Sequence, residues 1–119
     1  MVRSNIPNRG DVFIIDLNPV IGNEMRDEHR CVVITPREIN AVGMCLVVPI
    51  TTGGLFVRKA GLAVNVSGHK TTGVAVCNQL RGLNIVARLK NRTARFVETL
   101  DTVTTDDIAA RVVSMIDPA

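Results

Sequence analysis

The 119 residues include no tryptophan, no tyrosine and only three phenylalanines. That shortage excludes a nucleic-acid platform built by stacking bases on an aromatic sheet. Any such site must work through charge, backbone and hydroxyl contacts instead. No apolar run approaches the ~20 residues that a membrane helix needs. Met1 to Gly10 is polar and contains Pro7, which is not the pattern of a secretory signal peptide. The three cysteines, Cys31, Cys45 and Cys77, form no CxxC pair, and each sits in an apolar run. Cysteines of this kind read as buried and reduced, so a reducing compartment, the cytoplasm, is expected. His29 and His69 are the only histidines and stand at no metal-ligand spacing. No HExxH, P-loop or dinucleotide fingerprint occurs, and neither metal nor cofactor is expected.

Hydrophobic residues make up 46% of the chain, enough to bury a core without staples. The length fits one domain, residues 1–119. The formal net charge is +3, with lysine and arginine scattered and no basic tail. That balance suits a polyanionic partner.

Short runs rich in valine and isoleucine, bounded by Gly, Pro, Asn and Ser, dominate the pattern. Strands are predicted at Val12–Leu17, Cys31–Thr35, Met44–Thr51, Gly61–Val66 and Gly73–Gln79, with a sixth at Ile85–Leu89. Their spacing predicts a small closed or nearly closed barrel. A short helix is expected after Pro36 through Asn40. Ile108, Val112, Met115 and Ile116 fall at helical spacing and predict a core-packing helix over Asp106–Ile116, with Thr104 as its cap. The connection Asn18–His29, with Glu24, Arg26, Asp27 and Glu28, is long and polar for so small a domain. Connections of that kind more often carry function than merely join strands.

Cutting RNA without a metal needs few parts. The ribose 2′-hydroxyl attacks the adjacent phosphorus; one group accepts its proton and donors hold the charge that builds on the phosphorane. Arginine suits the last task because its planar fork pairs with phosphate oxygens and stays charged. Arg30 stands where the charged connection enters the second strand. Thr51 and Thr52 close the third strand before Gly53-Gly54. Read by position alone, Arg30 is equally a solvated strand-end arginine and the threonines an ordinary strand end. His29 lies beside Arg30 and has proton-shuttle chemistry, but strand neighbours point to opposite faces. If Arg30 faces a substrate, His29 does not.

Several segments in register resemble one family. Arg9-Gly10-Asp11-Val12 opens a strand; Asp16-Leu17-Asn18-Pro19 and Gly22-Asn23-Glu24 precede an arginine that opens the next. Pro49-Ile50-Thr51-Thr52-Gly53-Gly54, then Phe56, Arg58 and Ala60-Gly61, then Thr71-Thr72-Gly73-Val74 and Asn78-Gln79-Leu80-Arg81, follow in order. Together they resemble the MazF/PemK toxins over nearly the whole chain, and the PemK/ChpB-like branch in particular. The resemblance implies a mainly β fold, an SH3-like small barrel with a C-terminal helix, assembled as a homodimer. It implies the toxin of a type II toxin–antitoxin system: a metal-independent endoribonuclease, an mRNA interferase. Such an enzyme cuts single-stranded RNA at specific sequences and leaves 2′,3′-cyclic phosphate and 5′-OH ends. A cognate antitoxin with an acidic flexible segment is the implied protein partner, and DNA is met only through it.

Carried over residue by residue, the family's catalytic arginine falls on Arg30, its threonine on Thr51 and its loop glutamate on Glu24. Asn23, Thr52, Arg58, Thr72, Asn78, Gln79 and Arg81 are the implied RNA-binding residues. Two departures stand out: Cys31 replaces the usual proline after the arginine, and Val76 and Asn78 replace the arginine and aspartate that some members use. An aspartate base from the fifth strand is thereby excluded, and the proton acceptor stays open. Two other readings use the same fold. One is a non-enzymatic gyrase poison of the CcdB type, which has no need of Arg30. The other is a nuclease-dead RNA-binding module.

Overall fold

The structure, a computed structural model, describes residues 5–52 and 61–118. The Gly53-Gly54 turn and Arg58 lie outside them. Seven strands among the described residues form one antiparallel sheet: β1 (Asp11–Asp16), β2 (Glu28–Val33), β3 (Cys45–Thr51), β4 (Ala63–Ser67), β5 (Thr72–Val76), β6 (Arg81–Leu83) and β7 (Ala94–Thr99). The order is β4-β5-β3-β2-β1-β7, with β6 pairing the first half of β3. Helix α1 (Arg37–Asn40) joins β2 to β3, α2 (Ile85–Lys90) joins β6 to β7, and α3 (Thr102–Ile116) closes the chain.

Both faces of the sheet are buried. Alternation along β1, β2 and β3 sends Val12, Val32, Val48 and Ile50 into one core, where they meet Ile108 and Val112 of α3. It sends Phe13, Ile15, Cys31, Val33, Cys45 and Val47 into a second core, against Ile85 of α2 and, at its margin, Leu89. The near-continuous apolar runs follow from that double coverage, because a strand with one wet face would alternate.

Of the closed or nearly closed barrel expected, full closure is not formed. β4 and β7 end the strand order, and no backbone ladder joins them among the described residues. A side chain spans the gap instead. Glu98 of β7 accepts from the backbone N–H groups of His69 (3.0 Å) and Lys70 (2.8 Å) in the β4–β5 turn. Burial alone would raise the Glu98 pKa, but the hydrogen bonds it accepts outweigh that and hold it below the usual carboxylate value.

Ile85–Leu89 is helix, not strand. Asn84 caps it by accepting from Ala87 N at 3.0 Å, and the i,i+4 pair Ile85 and Leu89 turns one stripe toward the core. The strands β6 and β7 were not expected. β2 starts three residues early, at Glu28, so Arg30 is its third residue and not its first. β5 stops at Val76 and passes into a 3₁₀ turn over Cys77–Gln79. Helix α3 begins at Thr102, capped by Asp101 and not by Thr104. The Asp101 carboxylate accepts from Thr104 N (2.9 Å) and from its hydroxyl (2.8 Å). Of the predicted stripe, Ile108 and Val112 are buried, while Ile116 is 74% exposed.

Candidate functional site

Two cavities open where the β1–β2 connection meets the 3₁₀ turn. The first, 530 Å³, is lined by Asn23, Met25, His29, Thr51, Leu62, Val76, Asn78 and Gln79. The second, 430 Å³, includes Asn18, Glu24, Asn78, Gln79, Arg81 and Arg88 in its wall. Six of the predicted residues, Asn23, Glu24, Thr51, Asn78, Gln79 and Arg81, thus meet around one partition.

The partition is Gln79. Its Oε1 accepts from Met25 N (3.1 Å) and from Arg81 Nη2 (3.3 Å), and its Nε2 donates to the Asn23 carbonyl (3.2 Å). The side-chain amide is therefore spent on the protein's own loop. Gln79, expected from the sequence among the RNA-binding residues, holds the connection in place through these bonds.

The connection is further pinned at its base by Asn18. Its Nδ2 donates to Asp27 Oδ1 (3.0 Å), and its Oδ1 accepts from Asp27 N (3.2 Å). Glu24 is exposed, and its Oε1 accepts from Ile21 N at 2.8 Å. It lines the second cavity, on the far side of Gln79 from Thr51.

Thr51 ends β3, and Gly73 fixes the strand beside it. Thr51 pairs with Val74, and Gly73 has φ +153°, a conformation that side chains rarely adopt. A Cβ there would run into the Thr51 carbonyl. Thr52 follows, exposed. Thr72 is exposed at the start of β5, opposite Ser67, and lines neither cavity.

Arg30 lies opposite Ile14 and Ile50. Thr51, one residue past Ile50, begins the other face, so alternation separates the two residues implied as catalytic. Arg30 is half-buried and lines neither cavity. Among the described residues its buried Nε has no partner, and the only salt bridge is Arg9–Asp106. The side chain facing Thr51 is that of His29. Cys31 pairs with Pro49, so His29, two residues before, and Thr51, two residues after, share a face.

Cys31 is fully buried beneath this end of the sheet. Burial pushes its thiol up to about 12, with Arg81 and Arg88 pulling in the opposite direction. It is a neutral packing residue, as are Cys45 and Cys77, and all three are free and buried. Sequence reasoning missed Arg88 and the cavity role of His29. The signal for His29 was strand parity, which needed the β2–β3 register to be read.

Residues 8–116 match the family described as PemK-like, MazF-like toxins of type II toxin–antitoxin systems. The chain is 37% identical over 101 residues to the endoribonuclease PemK of Escherichia coli, covering 82% of this chain and 76% of the relative. It is 36% identical over 95 residues to the endoribonuclease toxin ChpB of Escherichia coli K12, covering 77% and 82%. The fold is shared with MazF from Deinococcus radiodurans at a TM-score of 0.79 and 18% identity, over 95% of this chain and 98% of that one. It is also shared with a chain of the MazE–MazF complex of that organism, at 0.75 and 18%, over 98% and 100%. With a family match across almost its whole length and relatives above one third identical, the chain belongs to the PemK-like, MazF-like toxins of type II toxin–antitoxin systems.

Proposed function

We propose that the protein is an endoribonuclease that cuts single-stranded RNA through the ribose 2′-hydroxyl, leaving 2′,3′-cyclic phosphate and 5′-OH ends, and so stops translation and growth. The observation that carries this reading is the convergence of Thr51, Asn23 and Asn78 on one cavity, with Arg81 and Arg88 in the wall of the adjoining one. Thr51 donates to the scissile phosphate. Arg30, on the other face of the sheet, makes no salt bridge among the described residues and supplies positive charge at the end of the sheet. Donors of this kind are worth ~2.7–4 kcal/mol each in the transition state. Arg81 and Arg88 in the second cavity hold neighbouring phosphates; Thr52 and Thr72 extend the polar surface along the rim.

The active form is a homodimer, with RNA lying along a groove that spans both copies. Ile39, Val42, Met44 and Leu46 support it. They are 52%, 87%, 56% and 40% exposed and cluster around α1 and the start of β3, an apolar surface of the kind that pairs. The protein partner is a cognate antitoxin whose acidic segment lies over the cavities.

The test is incubation with a long single-stranded RNA in EDTA, beside the same RNA carrying one 2′-deoxy sugar at the mapped cut site. Cleavage in EDTA with cyclic-phosphate ends, and resistance of the deoxy substrate, is the expected result. Cleavage at the deoxy position, or loss of activity in EDTA, overturns the mechanism.

A further inference from the structure

The reaction needs a proton acceptor for the 2′-hydroxyl, and Val76 and Asn78 remove the acid–base pair that some relatives of this fold would place in β5. We propose that His29 is that acceptor. The inference rests on the reading of the Thr51 cavity as the seat of the scissile phosphate.

Three observations carry it. First, His29 and Thr51 share a sheet face and line the same 530 Å³ cavity. Second, the other described residues of that wall are Asn23, Met25, Leu62, Val76, Asn78 and Gln79, none of which accepts a proton from an alcohol. Third, His29 is half-buried, yet its imidazole makes no hydrogen bond to the described residues; its backbone belongs to the β1–β2 ladder, opposite Ile15, and its carbonyl also accepts from Cys31 Sγ at 3.6 Å. A ring held by rigid backbone, open to a cavity and not spent on the fold, is placed for substrate.

Among the described residues the charged groups around it are few. Glu28 and Arg30, its chain neighbours, point to the other face. Arg81 and Arg88 stand in the second cavity and act at Cys31, below His29 on the same face. Glu24 lies behind Gln79. Among the described residues, no carboxylate lines the wall that His29 shares with Thr51.

The step balances without a further reagent. The 2′-O–P bond forms and the P–O5′ bond breaks. The 2′ proton moves to the free imidazole nitrogen, and the 5′ oxygen takes a proton from solvent water. Thr51 donates to the phosphate oxygens while the negative charge builds.

Single-turnover cleavage of an RNA oligonucleotide by the full chain tests the assignment, with native protein, His29→Gln and His29→Ala compared across pH. A general base contributes on the order of 10²–10⁴-fold. The expected result is a loss of that size in kcat for both variants, with KM and the melting temperature little changed. The rising limb of the native pH–rate profile flattens in both, and added imidazole partly restores His29→Ala. Native-like rates in His29→Gln overturn the proposal. So does a loss that imidazole cannot relieve and that leaves the shape of the pH profile intact, because that marks a structural role. If native protein cuts no RNA at all, the underlying reading fails with it, and that outcome is separate from either variant result.

Discussion

Gln79 holds Asn23 across 56 positions of sequence, donating from its Nε2 to the Asn23 carbonyl at 3.2 Å. The same side chain accepts from Met25 N, so one amide grips two points of the β1–β2 connection. Removing it frees the connection without touching either core. Gln79→Ala is expected to lose about 1–2 kcal/mol, the net value of two or three hydrogen bonds at a half-buried site. Exchange of the Met25 amide should accelerate at least tenfold in hydrogen–deuterium exchange. Unchanged protection at Met25 would mean that Asn18 and Asp27 suffice to place the connection.

Arg30 is expected to matter for rate and not for folding. Its guanidinium contributes no ion pair to the fold among the described residues. Arg30→Ala should therefore keep its melting temperature within a few degrees while the cleavage rate falls on the order of 10²–10³-fold. Arg30→Lys should recover little, because a point charge does not reproduce a fork. Stopped-flow cleavage together with thermal melting checks both halves. Near-native activity in Arg30→Ala would remove it from the site, and a folding defect would assign it to the edge of the α3-facing core.

The legible part of the fold was what apolar runs and turn residues encode locally. β1, β3 and α1 were read to within a residue or two, and the buried, reduced cysteines were read from their neighbours. Ile85–Leu89 misled because its β-branched start suits a strand equally well; the Asn84 cap and the spacing of Ile85 to Leu89 decide for helix. β7 was missed because Arg95 and Glu98 interrupt its apolar residues, and its partner β1 lies far away in sequence. The site was legible in membership but not in arrangement. Asn23, Thr51, Asn78, Gln79 and Arg81 were all named, yet whether Arg30 or His29 accompanies Thr51 depends on one register, Cys31 opposite Pro49. A slip of one residue would exchange the two faces. Nothing local in the sequence fixes that register.

The buried thiols make stability fall at alkaline pH. Burial pushes Cys31 from 9.0 to about 12 and Cys77 from 9.0 to about 11. Each folded-state value lies above the unfolded one, so the folded chain holds its proton longer. The contribution is complete below pH 9 and is lost as pH rises toward 11 for Cys77 and 12 for Cys31. The slope is at most about 1.4 kcal/mol per pH unit for each thiol. Denaturant unfolding of native protein and Cys31→Val between pH 8 and 11 should show a shallower decline in the variant. The same thiols should resist a thiol reagent until the protein unfolds. Parallel pH profiles for the two proteins would show that Cys31 ionisation is not coupled to folding.

An acidic antitoxin segment is expected to inhibit by occupying the RNA path. The cations that suit phosphate, Arg81 and Arg88 in one cavity and Arg30 at the sheet end, accept carboxylates through the same fork geometry. A peptide that is extended and disordered when free would order on the surface as it binds. The connection held by Gln79 forms the wall between the cavities, so RNA and peptide meet the same obstacle and should exclude each other. Both complexes should weaken as salt rises, the RNA complex more steeply, because phosphate binding releases condensed counterions and peptide binding does not. The measurement is a competition titration with a 2′-deoxy oligonucleotide that cannot be cut and the native toxin. Increasing antitoxin peptide should raise the apparent Kd for the oligonucleotide in proportion to its concentration. A ternary complex, with oligonucleotide affinity unchanged at saturating peptide, would place the inhibitory segment elsewhere and require inhibition through a conformational change.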